Sequence, residues 1–286
     1  MIAKQKTWFI TGISSGMGLE IARTVLEHGD NVIGTVRKYA EAAYQALDSA
    51  INLHVVVLDV TDEVAIKHGV EEAITRFGKI DVLLNNAGYG YLGAIEEATA
   101  AEVRRNFETN VFGVLNVTRA VLPYMRKERA GHIINISSMF SFGPKAGWGI
   151  YAATKYAVNG ISEGLALELK PFNIKVTSVE PGLFLTHFQG NSTAEKAKVI
   201  IDDYERTEVG KKRAELFSDN IKRLGDVKKI GHVIVQLANA EDPPLHLPIG
   251  SDSVKAYRDN TLKYWEDVNE WEEISVTTDD PDYFID

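Results

Sequence analysis

The stretch TGISSGMG, residues 11–18, decides how this chain is read. It follows a short apolar run, TWFIT (7–11), and opens a helical pattern over 17–28. Its glycines, Gly12, Gly16 and Gly18, are spaced G-x-x-x-G-x-G. Glycine lets a chain turn tightly and lets backbone approach a pyrophosphate, while the helix amino terminus offers N–H groups and a positive dipole end. A glycine-rich turn can also merely join a strand to a helix. Its place after the first strand favours a nucleotide, with Ser14, Ser15 and Met17 completing the loop that faces it.

Working outward, apolar runs alternate with amphipathic stretches. NVIGTV (31–36), LHVVVLDV (53–60), DVLLNNAG (81–88), HIINIS (132–137) and IKVTSVEPG (174–182) read as further strands. Most are continuously apolar, as strands covered on both faces are. Helical patterns near 17–28, 39–49, 62–77, 99–128 and 151–170 lie between them. This alternation predicts an α/β fold: one doubly wound parallel sheet of about seven strands with helices on both faces. The single domain spans 1–286. A helix near 226–240 and a short last strand in HLPIGSD close it, followed by an aromatic, acidic extension over 251–286. The polar, mostly helical-patterned segment 183–225 reads as an insertion over the carboxyl ends of the strands, either a substrate lid or a structural excursion.

Composition narrows the classes. The chain has 286 residues, 45% of them hydrophobic, a net charge of −9 and no basic tract, so nucleic acid is not expected as a partner. It has no cysteine, which excludes disulfides, thiolate metal sites and cysteine nucleophiles. His28, His54, His68, His132, His187, His232 and His246 are scattered without metal-ligand spacing, so no catalytic metal is expected. The amino-terminal stretch lacks the form of a signal peptide, and no run approaches the ~18 apolar residues of a membrane span. The expectation is a cytoplasmic protein that does not enter the membrane.

The end of the second strand bears on the choice of nucleotide. A carboxylate there would take the ribose 2′-hydroxyl of NAD. Val36 holds that slot and Arg37 follows, and a guanidinium fork suits a 2′-phosphate. NADP(H) is therefore the expected cofactor, against the alternative of a solvated strand-end arginine. Asp59 is read as an acceptor for an adenine amino group, or else as a helix cap.

Further along stand NNAG (85–88), Asn110, INISS ending at Ser138, YAATK from Tyr151 to Lys155, and PGLFLT with Thr186. In this order and at these separations, over about residues 5 to 190, the chain resembles the short-chain dehydrogenase/reductase family. HLPIGSDSVKAYR further resembles its 17β-hydroxysteroid-dehydrogenase-like branch. The resemblance implies that Tyr151 exchanges a proton with a carbonyl or alcohol oxygen and that Lys155 favours the phenolate and bonds the nicotinamide ribose. It implies that Ser138 holds the substrate oxygen and that Asn110 supports a water-linked proton path. It also implies cofactor contacts from Val60, Asn86, Ala87, Gly88, Pro181, Gly182, Leu183 and Thr186, and a homodimer or homotetramer through the helices at 99–128 and 151–170.

The chemistry is coherent. A free tyrosine titrates near ~10, and an adjacent ammonium favours its anion. A hydroxyl such as that of Ser138 can stabilise a developing alkoxide. Phe140, Phe142, Trp148, Phe184 and Phe188 suggest an apolar or aryl substrate, with core packing as the competing reading. The expected function is a carbonyl reductase or alcohol dehydrogenase acting on a small molecule. An NAD-dependent alcohol dehydrogenase and a non-catalytic NADP(H) sensor are the alternatives.

Overall fold

The computed structural model describes residues 5–184, 194–216 and 225–280. Seven parallel strands form the central sheet: β1 (Thr7–Ile10), β2 (Asn31–Val36), β3 (Leu53–Val57), β4 (Val82–Asn85), β6 (Gly131–Ile136), β7 (Ile174–Pro181) and β9 (His246–Ile249). Their order is β3-β2-β1-β4-β6-β7-β9, so the direction of winding reverses between β1 and β4. A crevice opens at such a reversal, at the carboxyl ends of the strands. A separate parallel pair joins β5 (Gly90–Leu92) to β8 (Ala194–Lys196).

Alternate side chains explain why the strands are apolar throughout. Trp8, Ile10, Val32, Val82, Leu84 and Ile134 feed one core, which α1 (Gly16–Glu27), α2 (Ala40–Ala46) and α9 (Val227–Asn239) cover. Phe9, Ile33, Leu83, Ile133 and Val176 feed the opposite core, beneath α3 (Glu63–Phe77), α5 (Gly113–Glu128) and α6 (Gly149–Leu169). Helices α1 and α9 approach closely: a Cβ on Gly231 would stand 2.1 Å from Thr24 Oγ1.

The helix boundaries have local causes. Asp62 caps α3 by accepting from the N–H groups of Val64 and Ala65, each at 3.0 Å, and Gly78 ends it at φ 79°. Thr99 and Glu102 form a capping box that starts α4 (Ala100–Phe107). The expected single helix over 99–128 is instead α4, a π-helical turn over Glu108–Phe112, and α5. A π turn inserts one extra residue per turn and often marks a functional position.

The segment 183–225 adds a short strand to its mostly helical reading. Its described part, 194–216, contains β8 and two helices, α7 (Asp202–Glu205) and α8 (Glu208–Leu216). It is docked by two buried carboxylates. Glu97 accepts from Ala94 N–H (2.8 Å) and Ile201 N–H (3.0 Å) and pairs with the Arg213 guanidinium, which also meets Glu205. Glu102 accepts from Lys198 N–H at 3.2 Å and from the Thr99 hydroxyl at 2.6 Å. Burial alone would raise the Glu97 carboxyl, but the N–H groups of Ile201 and Ala94 together with Arg213 hold it below the usual range. The acidic tail is a long helix, α10 (Ser251–Ser275). No helix among the described residues is long and apolar enough to cross a membrane.

Breaking a buried ion pair from one side leaves an uncompensated charge and costs about 3–5 kcal/mol. Glu97→Gln should therefore loosen 194–216 selectively. Hydrogen exchange there should accelerate at least tenfold while the amides of β1, β4 and β6 keep their protection. Uniform acceleration across the sheet would mean that Glu97 supports the whole fold rather than this segment.

Candidate active site

The glycine-rich turn is built by a lock between the ends of β1 and β4. Thr11 Oγ1 accepts from the N–H groups of Asn86 and Ala87 at 2.9 and 3.0 Å. The Asn86 amide donates back to the carbonyls of Thr11 (2.9 Å) and Gly12 (3.0 Å). Gly12 N–H reaches the Thr35 carbonyl on β2 at 3.1 Å. Gly12 and Gly16 take φ values of 74° and 61°, where side chains are strained. A Cβ on Gly18 would fall 2.2 Å from Gly12 O and 2.4 Å from Asn86 Nδ2, so no other residue fits.

A cavity of about 700 Å³ opens beside this turn. Gly12, Ser14, Ser15, Gly16, Met17 and Gly18 line one wall. Ser15 is the N-cap of α1, yet it makes no capping bond, and the first turn carries no acidic residue. The positive end of the helix therefore faces the cavity uncancelled. Val36, Arg37, Asp59, Val60, Ala87 and Gly88 continue the lining, and Tyr151 and Lys155 stand in it as well. Arg37 is exposed, whereas Val36 is 2% exposed and packs into the core. The Val36 side chain is thus committed inward, and an acid placed there would be buried. Asp59 turns one carboxylate oxygen onto Thr61, accepting from its N–H at 2.9 Å and its hydroxyl at 2.8 Å. The helix cap is Asp62 instead, so Asp59 orders a turn at the cavity rim. Asn86 also lines the cavity, but its amide is spent on the lock.

The Tyr151 phenol lies beside the Ser138 hydroxyl, whose influence favours the phenolate. Tyr151 and Ser138 are 6% and 8% exposed. Ser138 Oγ in turn accepts from Phe140 N–H at 3.2 Å, which fixes the hydroxyl. Lys155 Nζ lies 5.7 Å from the centre of the Tyr151 ring and donates to the Ile136 carbonyl at 2.8 Å. Ser137 Oγ donates to the Lys155 carbonyl, tying β6 to α6. Asn110 lies in the π turn. Its Oδ1 accepts from Tyr89 N–H (3.0 Å), and its Nδ2 donates to the Tyr89 carbonyl (2.9 Å) and the Thr154 hydroxyl (3.1 Å). Gly88 separates it from Lys155: a Cβ there would stand 2.9 Å from Asn110 Oδ1 and 3.7 Å from Lys155 Nζ.

Titration in this pocket runs against the simple expectation of a lowered tyrosine. Burial pushes the Tyr151 phenol up, and the Ser138 hydroxyl only partly opposes it. Burial also pulls the Lys155 ammonium down to about 8. Removing both groups from water disfavours both charged forms, and at this separation that outweighs their mutual attraction.

Phe140, Phe142, Trp148 and Phe184 are not among the lining residues of this cavity. Phe140 and Trp148 are buried behind it, with ring centres 5.3 Å apart, and both pack edge-on against Tyr151. They position the tyrosine ring. Phe142 packs against Tyr257 of α10. Phe184 leans on the first core, and Gly225 makes room for its ring. Gly182 and Leu183 lie outside the cavity lining: Leu183 N–H donates to Asp252 at 2.7 Å, and the same carboxylate closes over Gly182. Pro181 closes β7 and is likewise not among the lining residues. Thr186, His187 and Phe188 fall outside the described residues.

Tyr89, Arg105 and Glu195 also line the cavity and were not among the expected site residues. Arg105 of α4 and Glu195 of β8 pair at 3.3 Å. They are ninety positions apart, and the β5–β8 pairing together with the docking of 194–216 on Glu97 and Glu102 brings them together. Tyr89 directly follows NNAG and could have been found by its place alone. Together the lining residues offer a glycine cradle with a positive helix end on one side and a phenol and an ammonium on the other, while Ser138 and Asn110 stand behind the lining. That set fits a dinucleotide whose reactive ring lies near Tyr151.

Known proteins similar to this chain agree in kind. A 3-ketodihydrosphingosine reductase of Bacteroides thetaiotaomicron is 40% identical over 242 residues, covering 84% of this chain and 86% of that protein. A short-chain dehydrogenase from Streptomyces avermitilis superposes with a TM-score of 0.89 at 38% identity, covering 98% of this chain and all of that one. The NADP-bound structure of ElxO gives 0.73 at 26% identity, covering 88% and 99%. The model of the short chain dehydrogenase family matches residues 6–197, and the chain belongs to that family of oxidoreductases.

Proposed function

We propose that this protein is an NADP(H)-dependent carbonyl reductase or alcohol dehydrogenase acting on an apolar ketone or secondary alcohol. The observation that carries the reading is that Tyr151 and Lys155, 5.7 Å from ring centre to Nζ, line the same cavity as the glycine-rich turn, with the Ser138 hydroxyl beside the phenol. The nicotinamide, when bound, supplies or takes the hydride. In reduction the Tyr151 phenol gives its proton to the carbonyl oxygen. A phenol raised by burial is fully protonated at neutral pH, the form this step requires. Ser138 donates to the developing oxyanion. Lys155 bonds the ribose, and its charge favours the phenolate that remains. Asn110 holds the turn after Gly88 and supports a water-linked path that returns the proton.

NADP(H) over NAD(H) is supported by exposed Arg37 at the cavity and by the absence of a carboxylate at Val36. The NADP-bound relative points the same way. An apolar substrate is supported by the name of the 3-ketodihydrosphingosine reductase relative. The described part of 183–225 acts as a docked wall of the site.

Tyr151→Phe should lower turnover by ~10²–10⁴-fold, the usual contribution of a general acid, and leave cofactor affinity within a few-fold. Steady-state rates and NADPH fluorescence titration read the two effects, and near-normal turnover would remove the tyrosine from its role. Arg37→Ala should weaken NADPH roughly ten- to a hundredfold, the loss of one charge-assisted bond to phosphate, and leave NADH almost unchanged. The ratio of kcat/KM for the two cofactors measures this. A ratio indifferent to Arg37 would return it to a solvated strand end.

Lys155 makes a separate prediction in the cofactor-free protein. Its folded value of about 8 lies below the ordinary 10.5, so at pH 7 the fold carries the full cost of a buried cation. Between pH 8 and 10.5 the folded state sheds the proton first, and stability recovers as pH rises. Lys155→Met should therefore be more stable than wild type at pH 7, and the advantage should shrink across that window. Urea unfolding at pH 7, 8.5 and 10 tests it, and a pH-independent difference would contradict it.

A further inference from the structure

Helix α10 begins in contact with the body and then leaves it. Ser253 is buried, Asn260 lies against Gly143, and Tyr257 packs on Phe142. From Thr261 to Asp280 every residue is exposed. Within this stretch the Tyr264 hydroxyl meets that of Tyr156 of α6 at 3.2 Å. Yet Tyr264, Trp265, Val268, Trp271 and Ile274 on this stretch are each more than half exposed. A helix that packs on nothing gains no tertiary stability, and isolated helices below ~12–15 residues are marginal in water. Residues 265–275 fall short of that length. Large exposed apolar patches of this kind mark interaction sites.

The stripe has a definite period. Tyr257, Thr261, Tyr264, Val268 and Trp271 follow one another at steps of four, three, four and three, the heptad spacing of a two-helix seam. Arg258, Trp265 and Glu272 run along one flank. Charge is unevenly distributed along the helix. The first half carries Lys255, Arg258 and Lys263 against Asp252 and Asp259, whereas the second carries Glu266, Asp267, Glu270, Glu272 and Glu273 without a cation. Side by side in parallel, two copies would oppose acid with acid. In antiparallel pairing the acidic half meets the half that holds all the cations. Tyr264 of one chain then packs on Val268 of the other, and Arg258 stands across from Glu272 of the second copy. An anionic lipid surface would repel the acidic half.

We propose that α10 is an arm that pairs antiparallel with α10 of a second copy of this chain, through the stripe Thr261–Tyr264–Val268–Trp271. Such a contact is self-complementary about a two-fold axis, as closed dimers require. It is distinct from any contact through α4, α5 or α6.

The test is the molar mass of the full chain by light scattering at fixed concentration. Val268→Glu/Trp271→Glu should halve the mass, whether the arm joins monomers into a dimer or dimers into a tetramer. Both positions are exposed, so thermal midpoint and NADPH affinity should stay at wild-type values. Arg258→Glu alone should shift the population toward the halved mass, and adding Glu272→Arg to it should restore the full mass. An unchanged mass for Val268→Glu/Trp271→Glu overturns the proposal, and failure of the charge swap to restore association overturns the antiparallel arrangement. Co-sedimentation of wild type, but not of the stripe variant, with phosphatidylcholine vesicles would assign the stripe to a membrane instead and would also overturn it.

Discussion

The lock between Thr11 and Asn86 is the constraint on which the rest of the site depends. It uses two N–H groups, one hydroxyl, one amide and two carbonyls at the ends of β1 and β4. It stands where the sheet reverses its winding, and it presses Gly18 against Gly12 closely enough to exclude a methyl group. The uncapped start of α1 is held in place by that contact. Gly88, two residues beyond Asn86, is the spacer that keeps Asn110 and Lys155 apart. A single cross-strand lock thus sets the phosphate side and the proton side of one cavity in a fixed relation.

The proton side depends on burial as much as on residue identity. Lys155 and Tyr151 are both removed from water, and each neutral form is favoured in consequence. The Lys155 ammonium is kept by the Ile136 carbonyl and the face of the Tyr151 ring. Packing from Phe140 and Trp148 fixes that ring. An aromatic wall behind the phenol does what more hydrogen bonds would do in a wetter site: it restricts the hydroxyl to one approach.

Much of the fold was legible because its signals are local. Continuous apolar strands betrayed a sheet covered twice, since alternate residues such as Trp8 and Phe9 feed separate cores. That the glycine-rich turn and the Tyr151–Lys155 pair meet at one cavity was legible because each has a fixed place relative to a strand end. What stayed hidden depends on distant partners. The three-residue strands β5 and β8 have no periodicity to detect, and their pairing helps create the Arg105–Glu195 wall. The π turn around Asn110 leaves no mark in the apolar pattern of 99–128. Whether aromatic residues after Ser138 face a ligand or a core is decided by which side of Tyr151 they occupy, and no spacing reports that.

The approach of α9 to α1, with Gly231 set against Thr24, bears on how the molecule is made. The helix that opens at the glycine-rich turn is covered by one that lies some two hundred residues later in the chain. Strands β1 to β4 can pair early, but the core under α1 stays open until Ile230 and Ile234 arrive. Contacts this remote in sequence are slow to form, and a half-built parallel sheet exposes apolar surface while it waits. The glycine cradle therefore reaches its final form only when nearly the whole polypeptide is present. Loss of α9 by premature termination would leave a chain that carries every catalytic motif and cannot bury the helix that presents the first of them.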